Sequence, residues 1–288
     1  MTARVLAWVL EQLQHNSPVV LASVVGVKGS VPGKAGARLA MNRHQDWVGT
    51  VGGAGLEHRI LNRCKALILQ SKATSEVHTF GLNKGAKGYE VQPLDSLCGG
   101  QVTISLELML PMPHILLMGG GHCSEAISLL LPKKGWNYSV QDTREAFTTS
   151  ELYPEAIERS HSTVEGFFSG ETSESLTRFS DILLLGHDYS EDLERLQRLL
   201  HLAEAADVSP DGKAFPRIGA IGSRSKWKSF TDSCIEVGIQ SSTLDHVRCP
   251  IGLNIGAESP EEIAIAVIAE ILSMHKDADV HAPNWRDQ

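Results

Sequence analysis

Short apolar runs alternate with helical segments in the second half of the chain, and this alternation constrains the fold more than any other sequence feature. The runs are predicted as strands at residues 115–118, 136–140, 182–185 and 218–221. Apolar helical stripes follow three of them, as with Leu193, Leu196 and Leu200 after the third run. Strands that are apolar throughout and are separated by helices indicate a parallel sheet covered on both faces. The second half is therefore predicted to be a Rossmann-like α/β domain.

A glycine turn follows the first of these strands. Residues 119–124, Gly-Gly-Gly-His-Cys-Ser, stand between a predicted strand and a predicted helix, which is the context of a dinucleotide fingerprint. Glycines let the backbone approach a phosphate there, and the start of the helix offers free N–H groups. Asp142 follows at about the 20-residue distance expected of an acid that binds a ribose. Ser124 takes the place of the third glycine, where we expect it to crowd the helix–strand contact slightly.

The first half predicts a mixed α/β domain that begins with an amphipathic helix. The apolar positions of this helix are Val5, Trp8, Val9 and Leu13. Strands are expected at residues 19–25, 38–41, 47–51 and 102–108, and a second helical stripe runs from Leu56 to Ile68. The Gly-rich residues 81–100 are expected to form a surface excursion. Pro111 and Pro113 then break the chain, so the predicted parts are domains at 1–110 and 114–276 and a polar tail at 277–288.

Composition narrows the classes of function. The 288 residues carry a formal net charge of −8, and no cluster of Lys and Arg forms the basic patch that nucleic acid requires. Apolar stretches such as residues 263–272 are shorter than the roughly 20 residues of a membrane span. The apolar run near the N-terminus is too short for a signal peptide, so the five cysteines are expected to be reduced thiols in the cytoplasm. The histidines are scattered, and neither a CxxC pair nor an HExxH motif indicates a metal site.

Several blocks of the sequence resemble the XdhC/CoxI family, in the order in which the family has them. In the first half these are residues 19–41 (VVLASVVGVKGSVPGKAGARLAM), 49–57 (GTVGGAGLE) and 97–100 (LCGG). In the second half they are residues 115–126 (ILLMGGGHCSEA), 186–196, 218–230 and 248–272. The resemblance covers nearly the whole chain, and the last block is quite specific.

This resemblance implies a role in handling molybdenum cofactor. Proteins of this family are xanthine dehydrogenase accessory factors, expected to bind molybdenum cofactor and to pass it, after sulfuration, to a molybdenum hydroxylase. The clients implied are xanthine dehydrogenase, aldehyde oxidase or carbon monoxide dehydrogenase. The resemblance also implies a homodimer and an encounter with a cysteine desulfurase. The chain is thus expected to be a chaperone rather than an enzyme.

The sequence departs from the family pattern at one position of the first half. The family motif is Gly-Gly-Cys-x-x-Glu, whereas this chain has Gly52, Gly53, Ala54 and Glu57 at the corresponding places. Ala54 has no sulfur that could ligate molybdenum or carry a persulfide. Thiol chemistry would then fall to Cys98, a candidate molybdenum ligand because soft metals prefer thiolates. Cys98 can equally be a small buried residue at a tight turn.

The candidate cofactor-binding residues come from both halves of the chain. Arg38, Arg224 and Lys226 offer positive charge to a pterin and its phosphate, and His187 follows a strand end where α/β sheets bind ligands. Each is also explained as an ordinary surface residue, Glu57 as a helix-start charge and His122 as a helix cap. Cys64 and Cys234 lie on apolar stripes and are expected to pack in the core. The candidate set is Arg38, Gly52, Gly53, Glu57, Cys98, Gly119, Gly121, His122, Asp142, His187 and Arg224.

Two other functions stay open on the sequence. An NAD(P)-dependent oxidoreductase would use Asp142 for the ribose, although the first half offers no obvious proton donor to match a hydride acceptor. A regulatory protein would sense a pterin or a nucleotide without delivering it. The favoured hypothesis is cofactor binding and delivery, with the ligand held between the two domains.

Overall fold

Two compact units make up the chain, Met1–Pro111 and Met112–Gln288. The computed structural model describes residues 2–70, 73–82, 91–94, 99–206 and 215–282. Within these ranges, no helix has the length and apolar character that a membrane crossing requires.

The first unit is a six-stranded sheet with one helix on each face. Its elements are α1 (Thr2–Gln14), β1 (Val19–Lys28), β2 (Arg38–Asn42), β3 (Trp47–Gly49), α2 (Ala54–Ile68), β4 (Thr74–Gly81), β5 (Val91–Pro93) and β6 (Gln101–Met109). The strand order is β3-β2-β1-β6-β4-β5, with only the β4–β5 pair parallel. Alternate residues of β1 face opposite sides, so Val19 packs with Val9 of α1 and Val20 packs with Ile60 of α2.

β4 lies where the sequence pattern predicted no strand. It carries polar residues on both faces, so the apolar alternation that marks a half-buried strand is missing. Glu76 of β4 accepts hydrogen bonds from Arg63 of α2 and lies 2.9 Å from His78 Nε2. β4 thus contacts α2 through this partly exposed ion pair as well as through Phe80, which packs in the core beneath the helix. β5 lies inside the predicted surface excursion; residues 83–90 and 95–98 of that excursion are outside the described residues.

The second unit is built on a five-stranded parallel sheet. Its elements are β7 (His114–Met118), α3 (His122–Ser128), β8 (Asn137–Asp142), β9 (Arg159–His161), α4 (Val164–Ser169), α5 (Ser173–Leu176), β10 (Asp181–Leu184), α6 (Tyr189–Ala205), β11 (Arg217–Ala220), α7 (Arg224–Glu236), α8 (Ser241–Leu244) and α9 (Pro260–Lys276). The spatial order β11-β10-β7-β8-β9 is the Rossmann order, and Arg248 adds a parallel bridge beside Gly219 in the sixth position. The predicted fold class, a mixed α/β domain followed by a Rossmann-like domain, is confirmed.

Helices cover both faces of the second sheet, which explains why β7 is apolar throughout. Ile115 and Leu117 of β7 pack with α3 and α9, whereas Leu116 and Met118 pack with α6 and α7. The final helix begins as predicted. The Ser259 hydroxyl accepts a hydrogen bond from the Glu262 backbone N–H, and the Glu262 carboxylate accepts one from the Ser259 N–H. These two bonds form a capping box.

Candidate functional site

Two glycines meet at the carboxyl ends of neighbouring strands in the second unit. β7 and β10 are neighbours whose following helices pack on opposite faces of the sheet, so their carboxyl ends form the switch point at which open α/β sheets bind ligands. Gly119 follows β7 with φ of +102°, and a Cβ atom placed on it would lie 2.6 Å from Gly186 Cα, just after β10. Both the positive φ and the close approach require glycine at position 119.

Gly121 stands on the open side of the same turn. Its φ is −82° and its ψ is −169°, and a Cβ atom placed there would meet no described atom within 4 Å. His122 comes next as the first residue of α3, with its side chain exposed. Ser124 is fully buried, and its hydroxyl donates to the Gly119 carbonyl. This hydrogen bond ties Ser124 to the turn, and the expected slight crowding of the helix–strand contact stays a prediction.

Asp142 braces the glycine turn from the end of β8. Its carboxylate accepts hydrogen bonds from the Gly120 N–H at 2.7 Å and the Arg144 N–H at 2.8 Å, and from the Arg144 guanidinium at 2.9 Å on each oxygen. Burial would raise the pKa of the Asp142 carboxyl, but the Arg144 and Gly120 hydrogen bonds hold that pKa below its ordinary value. The carboxylate is therefore ionised at neutral pH and already bonded within the chain, whereas the spacing predicted an acid open to a ribose.

A buried network of charges lies beneath Gly186. Asp192 and Arg195 of α6 are both fully buried, and Asp192 Oδ1 lies 3.2 Å from both Arg195 Nη1 and the Gly186 N–H. Lys226 of α7 donates to Asp192 Oδ2 at 3.0 Å, so its ammonium is already paired rather than free for a ligand as predicted. Glu191 completes the network, 3.3 Å from Arg195 Nη2. The network joins α6 and α7 below the carboxyl edge of the sheet.

His187 and Arg224 lie beyond the carboxyl ends of β10 and β11, at the same end of the sheet as the glycine turn. His187 follows Gly186 after β10, and its side chain is exposed. Its neighbour Asp188 caps α6, accepting hydrogen bonds from two backbone N–H groups of the first turn. Arg224 begins α7 after β11 and is exposed, and its side chain makes no hydrogen bond or ion pair within the described part of the chain. Parallel strands thus bring His187 and Arg224 to the edge that carries Gly121.

A second cluster of glycines lies at one end of the first sheet. Gly52 has φ of +90°, and a Cβ atom placed on it would lie 2.6 Å from Gly33 Cα. Gly53 follows with φ of 82° and caps α2 without a side-chain hydrogen bond. Glu57 of α2 accepts hydrogen bonds from the Thr50 hydroxyl and, at 3.3 Å, from the Gly52 N–H. Glu57 therefore holds the glycine turn in place from the first turn of α2.

Gly52 and Gly100 contact the same loop, residues 29–33. Gly33 of this loop packs against Gly52, and a Cβ atom placed on Gly29 would lie 3.3 Å from Gly100 Cα. Gly100 thus belongs to the same end of the sheet as the Gly52 turn. Cys98, the candidate thiolate two residues earlier, lies outside the described residues.

Ala54 and Arg38 are placed differently by the fold. Ala54 is the first residue of α2 and is exposed, so the position of the family cysteine is open to solvent. Arg38 pairs with Ser23 in the register of β1 and β2, two residues before Ala40, which packs on the α1 side. Its side chain therefore lies on the face of the sheet opposite α2, and the structure does not bring it to Glu57.

The described cysteines do not offer ready thiolates. Cys64 and Cys234 are fully buried, and burial raises the pKa of Cys64 to about 12 and that of Cys234 to about 11. Burial also raises the pKa values of the partly buried Cys123 and Cys249. In the part of the chain that the structure describes, no group of three or more His, Cys, Asp or Glu side chains could hold a metal ion.

Two features of this site were missed by sequence reasoning. Arg144 gave no signal, because an arginine two residues after a strand-end acid is common on surfaces. The buried pair did leave a signal in the sequence. Asp192 and Arg195 fall on the same helical stripe as Leu196 and Leu199. Charged residues on an apolar stripe are rarely buried unless they are paired, so this pattern indicates a buried ion pair.

Comparison with known proteins assigns both units to one family. A family model described as the XdhC Rossmann domain matches residues 115–271, more than half of the chain. A second model, described as the XdhC and CoxI family, matches residues 12–81. The chain belongs to the XdhC and CoxI family. The resemblance found in the sequence is thereby confirmed.

Three curated relatives share the sequence at low identity. The uncharacterized protein YqeB of Escherichia coli K12 is 28% identical over 92% of this chain and 45% of its own length. A probable xanthine dehydrogenase subunit of Bacillus subtilis 168 is 28% identical over 58% of this chain and 44% of its own. The molybdenum cofactor insertion chaperone PaoD of E. coli K12 is 22% identical over 97% of this chain and 91% of its own. The chain therefore spans less than half of the first two relatives and most of the third.

Proposed function

We propose that this chain binds molybdenum cofactor and assists its insertion into a molybdenum hydroxylase of the xanthine dehydrogenase, aldehyde oxidase or carbon monoxide dehydrogenase type. The observation that carries the proposal is the match to PaoD, named a molybdenum cofactor insertion chaperone, over 97% of this chain and 91% of that protein. Both units thus have a counterpart in a protein of that name. The cofactor is cargo in this function, received from its biosynthesis and passed to the client.

The glycine turn of the second unit is the better candidate for the phosphate end of the cofactor. Gly121 leaves space beside the backbone of the turn, which is what a phosphate needs to approach the N–H groups. Arg224 offers an exposed guanidinium at the same edge, unpaired among the described residues, and His122 and His187 are exposed there as well. Arginine suits this role because its planar group forms paired hydrogen bonds with phosphate.

The glycine cluster of the first unit is the candidate for the metal end. Gly52, Gly53 and Glu57 keep the turn of the family motif, but Ala54 leaves it without sulfur. Cys64 and Cys234 are buried in the cores, and Cys123 and Cys249 are half-buried in the second unit, so none of the described cysteines belongs to this turn. Cys98 is then the proposed single thiolate. A homodimer and a cysteine desulfurase as sulfur donor belong to the same proposal.

An NAD(P)-dependent oxidoreductase is the less favoured alternative. The first half offers no proton donor matched to a hydride acceptor, and the Asp142 carboxylate is occupied within the chain. A sensor of pterin or nucleotide would share the binding site with a chaperone and differ only in keeping its ligand. Delivery therefore has to be measured directly.

The test is transfer of cofactor from the purified chain to a client. The chain is co-expressed with the enzymes of molybdenum cofactor biosynthesis, and bound metal and oxidised-pterin fluorescence are measured. The loaded chain is then mixed with a molybdenum hydroxylase purified without cofactor. A chaperone restores the hydroxylase activity and loses its own cofactor in proportion. Cofactor that stays bound without restoring activity would assign the chain to sensing, and hydride transfer with NADH would assign it to oxidoreduction.

A further inference from the structure

The Asp142 carboxylate has no acceptor position left for a ribose. An ionised carboxylate offers about four lone-pair positions to donors. Here the Gly120 N–H, the Arg144 N–H and two nitrogens of the Arg144 guanidinium donate to it, all between 2.7 and 2.9 Å. The Asp142 side chain is only 2% exposed. Both guanidinium bonds come from one side chain, so Arg144 alone decides whether half of these positions are open.

Dinucleotide sites need this carboxylate free. In the Rossmann fold, the acid after the second strand accepts hydrogen bonds from the ribose hydroxyls. Asp142 ends β8, which is the second strand of this sheet in chain order, and it accepts a hydrogen bond from the glycine turn. A ribose at Asp142 would have to displace the two guanidinium bonds of Arg144. The Arg144 side chain therefore stands where the ribose of a dinucleotide would be held.

Further contacts fix residues 143–147 over the glycine turn. The Arg144 guanidinium stacks on the Phe147 ring, with its central carbon 3.8 Å from the ring centroid. A Cβ atom on Gly120 would overlap the Phe147 carbonyl oxygen, so the segment packs directly on that glycine. Thr143 donates to Glu191 Oε1 of α6 at 2.8 Å, which ties the segment across the switch point. The segment is thus held at both ends.

We propose that Arg144 determines which class of ligand the glycine turn accepts. By occupying Asp142 it excludes dinucleotides such as NAD(P), and it leaves the turn to ligands that make no ribose contact at Asp142. This inference rests on the proposed function only in taking the glycine turn as a ligand site.

The test is a gain of dinucleotide binding. NADH is titrated into the full-length chain and its binding is followed by calorimetry and NADH fluorescence. Arg144→Ala frees two acceptor positions on Asp142, so NADH and ADP-ribose should bind at least about tenfold more tightly than to the wild type. Inorganic pyrophosphate, which has no ribose, should show no such gain. Arg144→Met keeps an aliphatic chain against Phe147 without the donors, and it should show the same gain if the alanine variant folds poorly.

Arg217 provides a control at the amino ends of the strands, at the other end of the sheet from the glycine turn. It makes the same paired contact to Asp181, at 2.9 and 2.8 Å, and both arginine side chains are 33% exposed. Arg217→Ala removes a similar pair of guanidinium bonds away from the glycine turn, while Asp181 keeps its bond from Arg248, and it should leave NADH affinity unchanged. Adding Asp142→Asn to Arg144→Ala should abolish the gain, because the single amide oxygen accepts about two hydrogen bonds, and the Gly120 and Arg144 N–H groups already donate to this side chain.

Unchanged NADH affinity in folded Arg144→Ala and Arg144→Met chains would overturn the inference. Micromolar binding of NADH to the wild type would overturn it as well. Neither result bears on cofactor transfer, which is measured with a client hydroxylase. Failed transfer by a wild type whose Arg144 variants gain NADH would contradict the proposed function and leave the role of Arg144 standing.

Discussion

Gly119 and Gly186 meet backbone to backbone at the switch point of the second sheet. A Cβ atom on Gly119 would lie 2.6 Å from Gly186 Cα, whereas a Cβ atom on Gly121, two residues later, would meet no described atom within 4 Å. The two glycines of one turn therefore have different tasks. Gly119 lets two strand ends close against each other, and Gly121 keeps the space beside the turn open.

The first prediction is that Gly119→Ala destabilises the second unit. The substitution forces a side chain into a left-handed conformation and into the Gly186 backbone, and it should cost on the order of 3 kcal/mol. Gly121→Ala should cost less than about 1 kcal/mol, since only the weak preference for glycine at a helix cap is lost. Urea unfolding of both variants measures the difference. Equal destabilisation by the two would contradict the close approach at Gly119.

The buried pair beneath Gly186 gives a second prediction. Asp192→Ala removes the partner of Arg195 and Lys226 and leaves a fully buried guanidinium short of compensation, which should cost about 3–5 kcal/mol. Glu194→Ala on the same helix removes an exposed pair with Arg198 and should cost no more than about 0.5 kcal/mol. The free energies of unfolding of Asp192→Ala and Glu194→Ala, each compared with the wild type, test this prediction. A loss for Asp192→Ala as small as that for Glu194→Ala would show that the network is solvated.

A third prediction concerns the acid sensitivity of β7. His114 is 6% exposed, and burial lowers its pKa from 6.5 to about 4. The pKa of His114 is lower in the folded than in the unfolded chain. Its neutral ring therefore contributes fully to the free energy of unfolding above about pH 6.5, and this contribution is lost as the pH falls toward 4. The loss should reach about 3 kcal/mol.

Amide hydrogen exchange of residues 114–118 measures this loss as the free energy of opening at neutral and acidic pH. His114→Gln, which cannot titrate, should lose less stability over the same interval. A wild type and a variant with parallel pH dependences would remove His114 as the cause.

The thiols give a fourth prediction. If Cys98 ligates molybdenum, Cys98→Ser should lower the cofactor content of the purified chain, because carboxylates and hydroxyls replace a soft thiolate poorly. Ala54→Cys restores the residue of the family motif at an exposed helix start and should raise that content. Cys64→Ser and Cys234→Ser are the controls, since both side chains are buried and should act only through stability.

Metal analysis and oxidised-pterin fluorescence measure the content of the four variants. Equal content in the wild type and Cys98→Ser would exclude the thiolate role. If every variant, Ala54→Cys included, carries no cofactor, the chain has left the chemistry of its family.

The second unit was predictable because its signals are local. Short stretches of neighbouring residues are enough to recognise the apolar run of β7, the glycine turn and the capping box at Ser259. β4 was missed since most of its residues are polar and its position is set by pairing with β6, which leaves no apolar alternation in the sequence. β9, with three residues, is too short for any periodicity.

The candidate site was predictable only in part for the same reason. The spacing of Gly119 and Asp142 anticipated that the acid would reach the turn, and the Gly120 N–H does bond to it at 2.7 Å. The spacing could not predict that the Arg144 side chain occupies the remaining acceptor positions of the Asp142 carboxylate. That arrangement depends on the contact with Phe147 and on the hydrogen bond between Thr143 and Glu191. The roles of the individual site residues stay predictions.

Cofactor content of Gly121→Val tests the central claim most directly. Gly121 lies in an extended conformation with open space beside it, so valine fits the fold and fills only the place proposed for the phosphate. Gly170→Val, at another open position with negative φ, is the matched control. After co-expression with cofactor biosynthesis, molybdenum and pterin per purified chain should be lost in folded Gly121→Val and unchanged in Gly170→Val. Full cofactor content in a folded Gly121→Val chain would contradict the claim that the glycine turn holds the cofactor.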